Sequence, residues 1–252
     1  MKISYEFYPP KDLDYKKVVN EYSLISSYGP RFISITYGAM GSSQEKSVGL
    51  IKAFKEKTDI EIVAHLTLVG KSKKELSRII NEFKLLGIRK VVALRGDSPD
   101  GEFKAHADGF SNTADFVEFL VASDMEVVVS AYPEPHPDSE GFEFDINLLK
   151  EKTLAGSNQC ITQFCFSMAD YQKLIDKIAK EKIQNELTAG IMPIYNIASL
   201  CNMAERCGTK ISSEIVNQFS DDRLKNEAAA IKICVQQVRD LQNMGVNNFH
   251  FY

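Results

Sequence analysis

Short runs of apolar and β-branched residues recur along the chain, separated by longer stretches with helical spacing and charged outer faces. The β-like runs fall at residues 3–7, 32–36, 61–66, 90–94, 126–131, 160–164, 187–191 and 248–252. Amphipathic helical stretches lie between them, at 73–86, 112–123, 170–181 and 222–244 among others. Three helical stretches end in Leu86-Gly87-Ile88, Ala155-Gly156-Ser157 and Met244-Gly245-Val246. Each places a glycine where the residue after a helix must turn left-handed, and each is followed by a strand. Strand and helix in strict alternation imply a parallel sheet, because every crossover must return to the same end. Eight such units in 252 residues give about 31 residues each, which fits a (β/α)8 barrel of about 250 residues. The alternative is an open doubly wound sheet, but no G-x-G-x-x-G follows the first strand, which runs instead into Tyr8-Pro9-Pro10. With no linker or low-complexity tract, the expectation is one α/β domain over residues 1–252.

Composition narrows the classes. Thirty Lys and Arg stand against 34 Asp and Glu, a net charge of -4 that disfavours nucleic-acid binding. No apolar run reaches the length of a membrane span, and MKISYEFYPPK lacks the apolar core of a signal peptide. The five cysteines form no C-x-x-C pair and read as reduced thiols of a cytoplasmic protein. His65, His106 and His136 match no zinc-ligand spacing, so no metal is expected.

Barrel enzymes carry their chemistry at the C-terminal ends of the strands. The first six strands here end in Glu6, Thr36, His65, Arg95 with Asp97, Tyr132 with His136, and Gln163. The opposite ends carry Lys2, Arg31, Glu61, Lys90, Glu126 and Gln159, which read as ordinary solvated surface. Glu6 lies in Ser4-Tyr5-Glu6-Phe7-Tyr8, and strand alternation points it inward with Ser4. A carboxyl set among aromatic rings is suited to holding and delivering a proton near neutrality, as a general acid must. The alternative for Glu6 is a buried ion pair with an Arg or Lys. Leu94-Arg95-Gly96-Asp97 offers a cation, a permissive glycine and an anion, able to grip a phosphate or the amino groups of a heterocycle. A surface ion pair is the alternative there. Tyr132-Pro133-Glu134-Pro135-His136-Pro137 must be a stiff, extended loop.

Seven segments in this order resemble the catalytic barrel of the methylenetetrahydrofolate reductase family: Ser4 to Lys11, Ile35-Thr36-Tyr37-Gly38-Ala39, His65-Leu66-Thr67, Val92 to Asp97, Ala131-Tyr132-Pro133-Glu134-x-His136-Pro137, Ala155-Gly156 with Ile161-Thr162-Gln163-Phe164, and Phe249-His250-Phe251-Tyr252. The resemblance implies an enzyme whose FAD takes hydride from NADH or NADPH and reduces 5,10-methylenetetrahydrofolate to 5-methyltetrahydrofolate. It implies Glu6 as the general acid that opens the five-membered ring and Asp97 as the aspartate beside flavin and pterin. FAD contacts carry over to Thr36, His65, Arg95, Gly96, Asp97, Ala131, Tyr132, His136, Asp145 and Lys152. Folate contacts carry over to Asp97 and Gln163. Ser199 and Met203 stand where the bacterial pattern has a glutamine and a phenylalanine that meet folate and nicotinamide. Glu151 replaces a cation beside Lys152. No residue follows Tyr252 to supply the family's Thr-Leu-Asn-Arg, whose arginine meets the acidic folate tail, so a weaker grip on that tail is expected. No segment resembles the regulatory domain of longer eukaryotic relatives, and a homo-oligomer stays open. The competing expectation is a barrel that binds folate or flavin, or transfers a methyl group, without reductase activity.

Overall fold

The structure, a computed structural model, describes residues 1–36, 44–96 and 103–252. Eight strands close into a barrel in sequence order: β1 (Lys2–Phe7), β2 (Phe32–Ile35), β3 (Glu61–Thr67), β4 (Lys90–Leu94), β5 (Glu126–Ala131), β6 (Gln159–Thr162), β7 (Glu186–Ile191) and β8 (Asn248–Phe251). The helices are α1 (Tyr15–Ile25), α2 (Gln44–Lys57), α3 (Lys73–Leu85), α4 (Thr113–Ala122), α5 (Phe142–Leu154), α6 (Met168–Lys180), α7 (Ile197–Cys207), α8 (Ser213–Val216) and α9 (Arg223–Asn243). The expected (β/α)8 architecture and all eight strands are present. Gly87, Gly156 and Gly245, which follow α3, α5 and α9, have φ of 72°, 109° and 90°. The sixth strand is shorter than its apolar run suggests. Gln163 N–H still donates to Ala131 O, but the Gln163 side chain then accepts Phe164 N–H and ends the pairing. No helix among the described residues is long and apolar enough to cross a membrane.

The chain forms two compact units. The first comprises Lys2–Ser130 with Glu151–Gln159, and carries β1 to β4 and most of β5. Its helix-facing side is set by Phe7, whose ring lies 6.2 Å from Tyr22 of α1 and 5.3 Å from Phe54 of α2. Alternation therefore turns Ser4 and Glu6 inward. Parallel pairing then sets a single inward row, Glu6 opposite Ser34, Ser34 opposite Val63, Val63 opposite Lys90 and Lys90 opposite Glu126. The row starts near the C-terminal end of β1 and finishes on the first residue of β5, the stagger that strand tilt in a barrel requires.

Lys90 corrects the reading of the N-terminal strand ends as ordinary surface. Its side chain is only 9% exposed, and Nζ lies 2.9 Å from Glu61 Oε1 and 3.2 Å from Glu126 Oε2. Burial alone would lower its pKa, but the hydrogen bonds and charges of both carboxylates outweigh it and hold the ammonium above its usual range. The pairing is therefore intact at neutral pH and is lost only as pH rises through that raised value. Lys90→Met is expected to cost about 1–2 kcal/mol, between a surface pair and a buried one, and to lower Tm by about 2–8 °C. Thermal unfolding at neutral pH measures this; an unchanged Tm would return Lys90 to the surface class.

The second unit comprises Met1, Ala131–Lys150 and Cys160–Tyr252. Its core gathers Tyr171 of α6, Ala189 and Ile191 of β7, Leu241 of α9 and Phe249 of β8. Gly190, between Ala189 and Ile191, faces the other way and is bound closely. Its N–H donates to Thr162 Oγ1 at 2.9 Å and its carbonyl accepts Tyr171 OH at 3.1 Å. Tyr252 OH donates to Thr162 O at 2.7 Å.

Candidate active site

In the first unit Glu6 reaches across β2 to His65 on β3, with Oε2 3.3 Å from Nε2. The Glu6 side chain is 6% exposed and that of His65 12%. The partner is thus neither the Arg nor the Lys of the ion-pair alternative. Burial pushes the imidazole below its ordinary 6.5, and the Glu6 charge pulls it only part of the way back. A neutral imidazole can donate Nε2–H to a carboxylate or accept the proton of a carboxylic acid, so the pair can hold one proton between two buried atoms. Because the folded imidazole resists protonation, its contribution to stability is full above about pH 6.5 and is lost as pH falls through the folded value. The expected result is a Tm that falls between neutral pH and pH 5, by less in His65→Asn. Equal falls in both proteins would remove His65 as the cause.

Thr36 follows β2, buried on the same inward side as Ser34. Its N–H donates to Phe7 O at 3.2 Å and its carbonyl accepts Ser47 Oγ at 2.6 Å, so the hydroxyl is the part that remains for a ligand. Arg95 and Gly96 leave β4, with the Arg95 guanidinium 5.5 Å from the Phe103 ring centre. Gly96 has φ of 83°, and a Cβ there would sit 2.6 Å from Val69 Cγ1 and 2.8 Å from Thr67 Cβ. The rim of the strand end therefore needs glycine for both its conformation and its closeness. Asp97 lies outside the described residues. Lys152 on α5 is buried, with Nζ donating to Ser130 O at 3.2 Å.

In the second unit the structure brings Tyr132, His136 and Asp145 together. The Tyr132 ring meets the His136 ring edge-on at 5.1 Å. Asp145 Oδ2 accepts His136 N–H at 2.9 Å and Ser139 Oγ–H at 3.0 Å, so this carboxylate shapes the prolyl loop from α5. His136 Nδ1 accepts Asp138 N–H at 3.1 Å, which makes Nε2 the ring's N–H donor. Ala131 is buried at the end of β5. Gln163 gives its Oε1 to Phe164 N–H at 3.0 Å, so its amide NH2 is the group available to a ligand. Ser199 and Met203 are exposed one turn apart on α7, whose start is capped by Asn196 Oδ1 accepting Ser199 N–H at 2.9 Å.

Sequence reasoning passed over Glu134 and Lys71. Glu134 is buried, with Oε1 accepting Lys210 N–H at 3.0 Å and Oε2 without a hydrogen-bond partner. Burial raises its pKa against the pull of the Lys210 N–H. Burial, then the Glu134 charge, drives the Cys165 thiol far upward. The prolines flanking Glu134 were the available signal, since Pro135 has no N–H to offer and the carboxylate must find a donor elsewhere. Lys71 had none: a lysine before a helix cap reads as surface.

Comparison with known proteins gives a consistent family. The sequence profile described as methylenetetrahydrofolate reductase matches residues 1–252. The 5,10-methylenetetrahydrofolate reductase of Escherichia coli K12 is 32% identical, covering all of this chain and 86% of that protein. The protein of the same name from Buchnera aphidicola subsp. Schizaphis graminum is 35% identical, covering all of this chain and 87% of that one. Among solved structures, Yersinia pestis DHPS with a pterine–sulfa conjugate matches 99% of this chain and 87% of its own, with a TM-score of 0.53 at 14% identity, a likeness of fold alone.

Proposed function

The chain belongs to the methylenetetrahydrofolate reductase family, and on that premise we propose that it reduces 5,10-methylenetetrahydrofolate to 5-methyltetrahydrofolate, using FAD and NADH or NADPH. The observation that carries the reading is the Glu6–His65 pair, a carboxyl and an imidazole 3.3 Å apart and buried inside the first unit. The reaction needs such a group. Opening the five-membered ring requires a proton on the departing nitrogen, and a carboxyl whose Oε2 accepts the His65 Nε2–H can deliver one from its other oxygen.

The residues present fit a flavin. In the first unit, the Cβ-free turn at Gly96 lets a ligand approach the backbone, and the Thr36 hydroxyl and Arg95 guanidinium can meet its polar groups. In the second, the Tyr132–His136 ring pair offers an aromatic edge. In this reading Thr36, His65, Arg95, Gly96, Asp97, Ala131, Tyr132, His136, Asp145 and Lys152 hold FAD. Bound there, the flavin would supply hydride transfer between nicotinamide and folate. Gln163, able to donate through its amide NH2, orients the folate with Asp97, while Ser199 and Met203 face the folate and nicotinamide.

Anaerobic addition of NADH or NADPH to flavin-loaded protein should bleach the yellow flavin band, and 5,10-methylenetetrahydrofolate should restore it. Bleaching without restoration would favour a flavin-binding barrel that is not this reductase. Failure to retain FAD at all would remove the cofactor assignment.

A further inference from the structure

Lys71 lies between β3 and α3 and is half-buried. Nζ turns back to donate to Thr67 Oγ1 at 3.1 Å. Thr67 is the last residue of β3 and shares the inward face of that strand with His65, two residues earlier. The charge therefore stands over the strand end above the Glu6–His65 pair. Among the described residues the acid whose charge it feels is Glu75, and that carboxylate is engaged elsewhere. Glu75 spends its carboxylate on the start of α3, accepting Ser72 N–H at 2.8 Å and Ser72 Oγ–H at 2.6 Å. Among the described residues no carboxylate comes within ion-pair distance of Lys71, and Thr67 is its one hydrogen-bond partner. Two of its three N–H donors are thus without a protein acceptor there. Half-burial accordingly lowers its pKa, with the Glu75 charge opposing.

The backbone that carries this lysine is fixed. Val69 N–H donates to Arg95 O at 2.9 Å, and Lys73 N–H to Asp108 O at 2.9 Å. A Cβ at Gly96 would collide with Thr67 and Val69, and one at Gly109 with the Lys71 carbonyl. A lysine on a free surface gains little from immobilising its long stem for one hydrogen bond to an uncharged hydroxyl. Holding a half-buried ammonium in place is useful where a ligand completes its donors.

Resting on the reductase reading, we propose that Lys71 is a ligand-binding residue: its ammonium, positioned by Thr67, receives an anionic oxygen group, either the diphosphate of FAD or a carboxylate of the folate. Lys71→Met keeps the aliphatic stem and removes the charge, and Lys71→Arg restores it. If the diphosphate is the ligand, Lys71→Met weakens FAD binding to the apoprotein, followed by flavin fluorescence, by about tenfold or more, and leaves riboflavin binding unchanged. If the folate tail is the ligand, FAD binding is unchanged and the KM for methylenetetrahydrofolate rises by a similar factor with kcat preserved. Arginine recovers most of either loss, and Tm is preserved in both variants. A third arm needs no flavin: inorganic diphosphate should raise the Tm of the unmodified protein more than that of Lys71→Met. An active, flavin-binding wild type whose Lys71→Met variant matches it in all three measurements overturns the assignment. A wild type that neither binds FAD nor reduces the folate condemns the reductase reading, and the diphosphate arm then decides Lys71 separately.

Discussion

The Glu6→Gln protein is expected to bind FAD and to accept hydride from the nicotinamide at the wild-type rate, while its reduction of methylenetetrahydrofolate slows by about 10²–10⁴. The amide preserves shape and keeps an oxygen for His65 Nε2–H, at the position where Oε2 now lies 3.3 Å away. Only the transferable proton is lost. Because His65 is held neutral, it does not supply that proton in place of the carboxyl. Stopped-flow measurement of the two half-reactions separates the steps. Wild-type folate reduction in the variant would show that the proton comes from elsewhere.

Gly190→Ala is expected to damage the second unit severely. An added Cβ would strike the Thr162 carbonyl oxygen and the Tyr252 ring, and neither can retreat freely. The Thr162 carbonyl also accepts Tyr252 OH, and Thr162 Oγ1 binds both Gly190 N–H and Tyr171 OH. Overpacking against backbone in such a network should cost about 3 kcal/mol or more, lowering Tm by about 6–12 °C or preventing folding. Gln163, next to Thr162, would lose its placement in turn. Ala189→Gly at the neighbouring helix-facing position is the control. A Gly190→Ala protein as stable as wild type would mean that the strands can separate there without penalty.

The strands were legible because each is a short apolar run bounded by turn chemistry, and the stops at Gly87, Gly156 and Gly245 follow from left-handed geometry that glycine alone adopts cheaply. The inward direction of Glu6 followed from alternation. The identity of its partner did not, since His65 meets it across an intervening strand and that closeness comes from the stagger of the sheet. For the same reason Lys90 looked like surface: two carboxylates on flanking strands enclose it, and neither is its neighbour in sequence. Asp145 is expected at the flavin from the family resemblance; what the structure shows is its carboxylate fastening the prolyl loop.

The inward row from Glu6 through Ser34, Val63 and Lys90 to Glu126 also bears on how such a chain can change length. Inserting one residue into β2 would set Ile33 or Ile35 opposite Glu6 in place of Ser34, and turn a serine toward the helices. The same slip in β4 would move Lys90 away from both of its carboxylates. A single insertion in β2 thus disturbs the setting of the Glu6–His65 pair, and one in β4 that of Lys90, through one row of paired residues. Single-residue gains and losses that leave both arrangements intact therefore fall in the loops, where the strand phase is not counted.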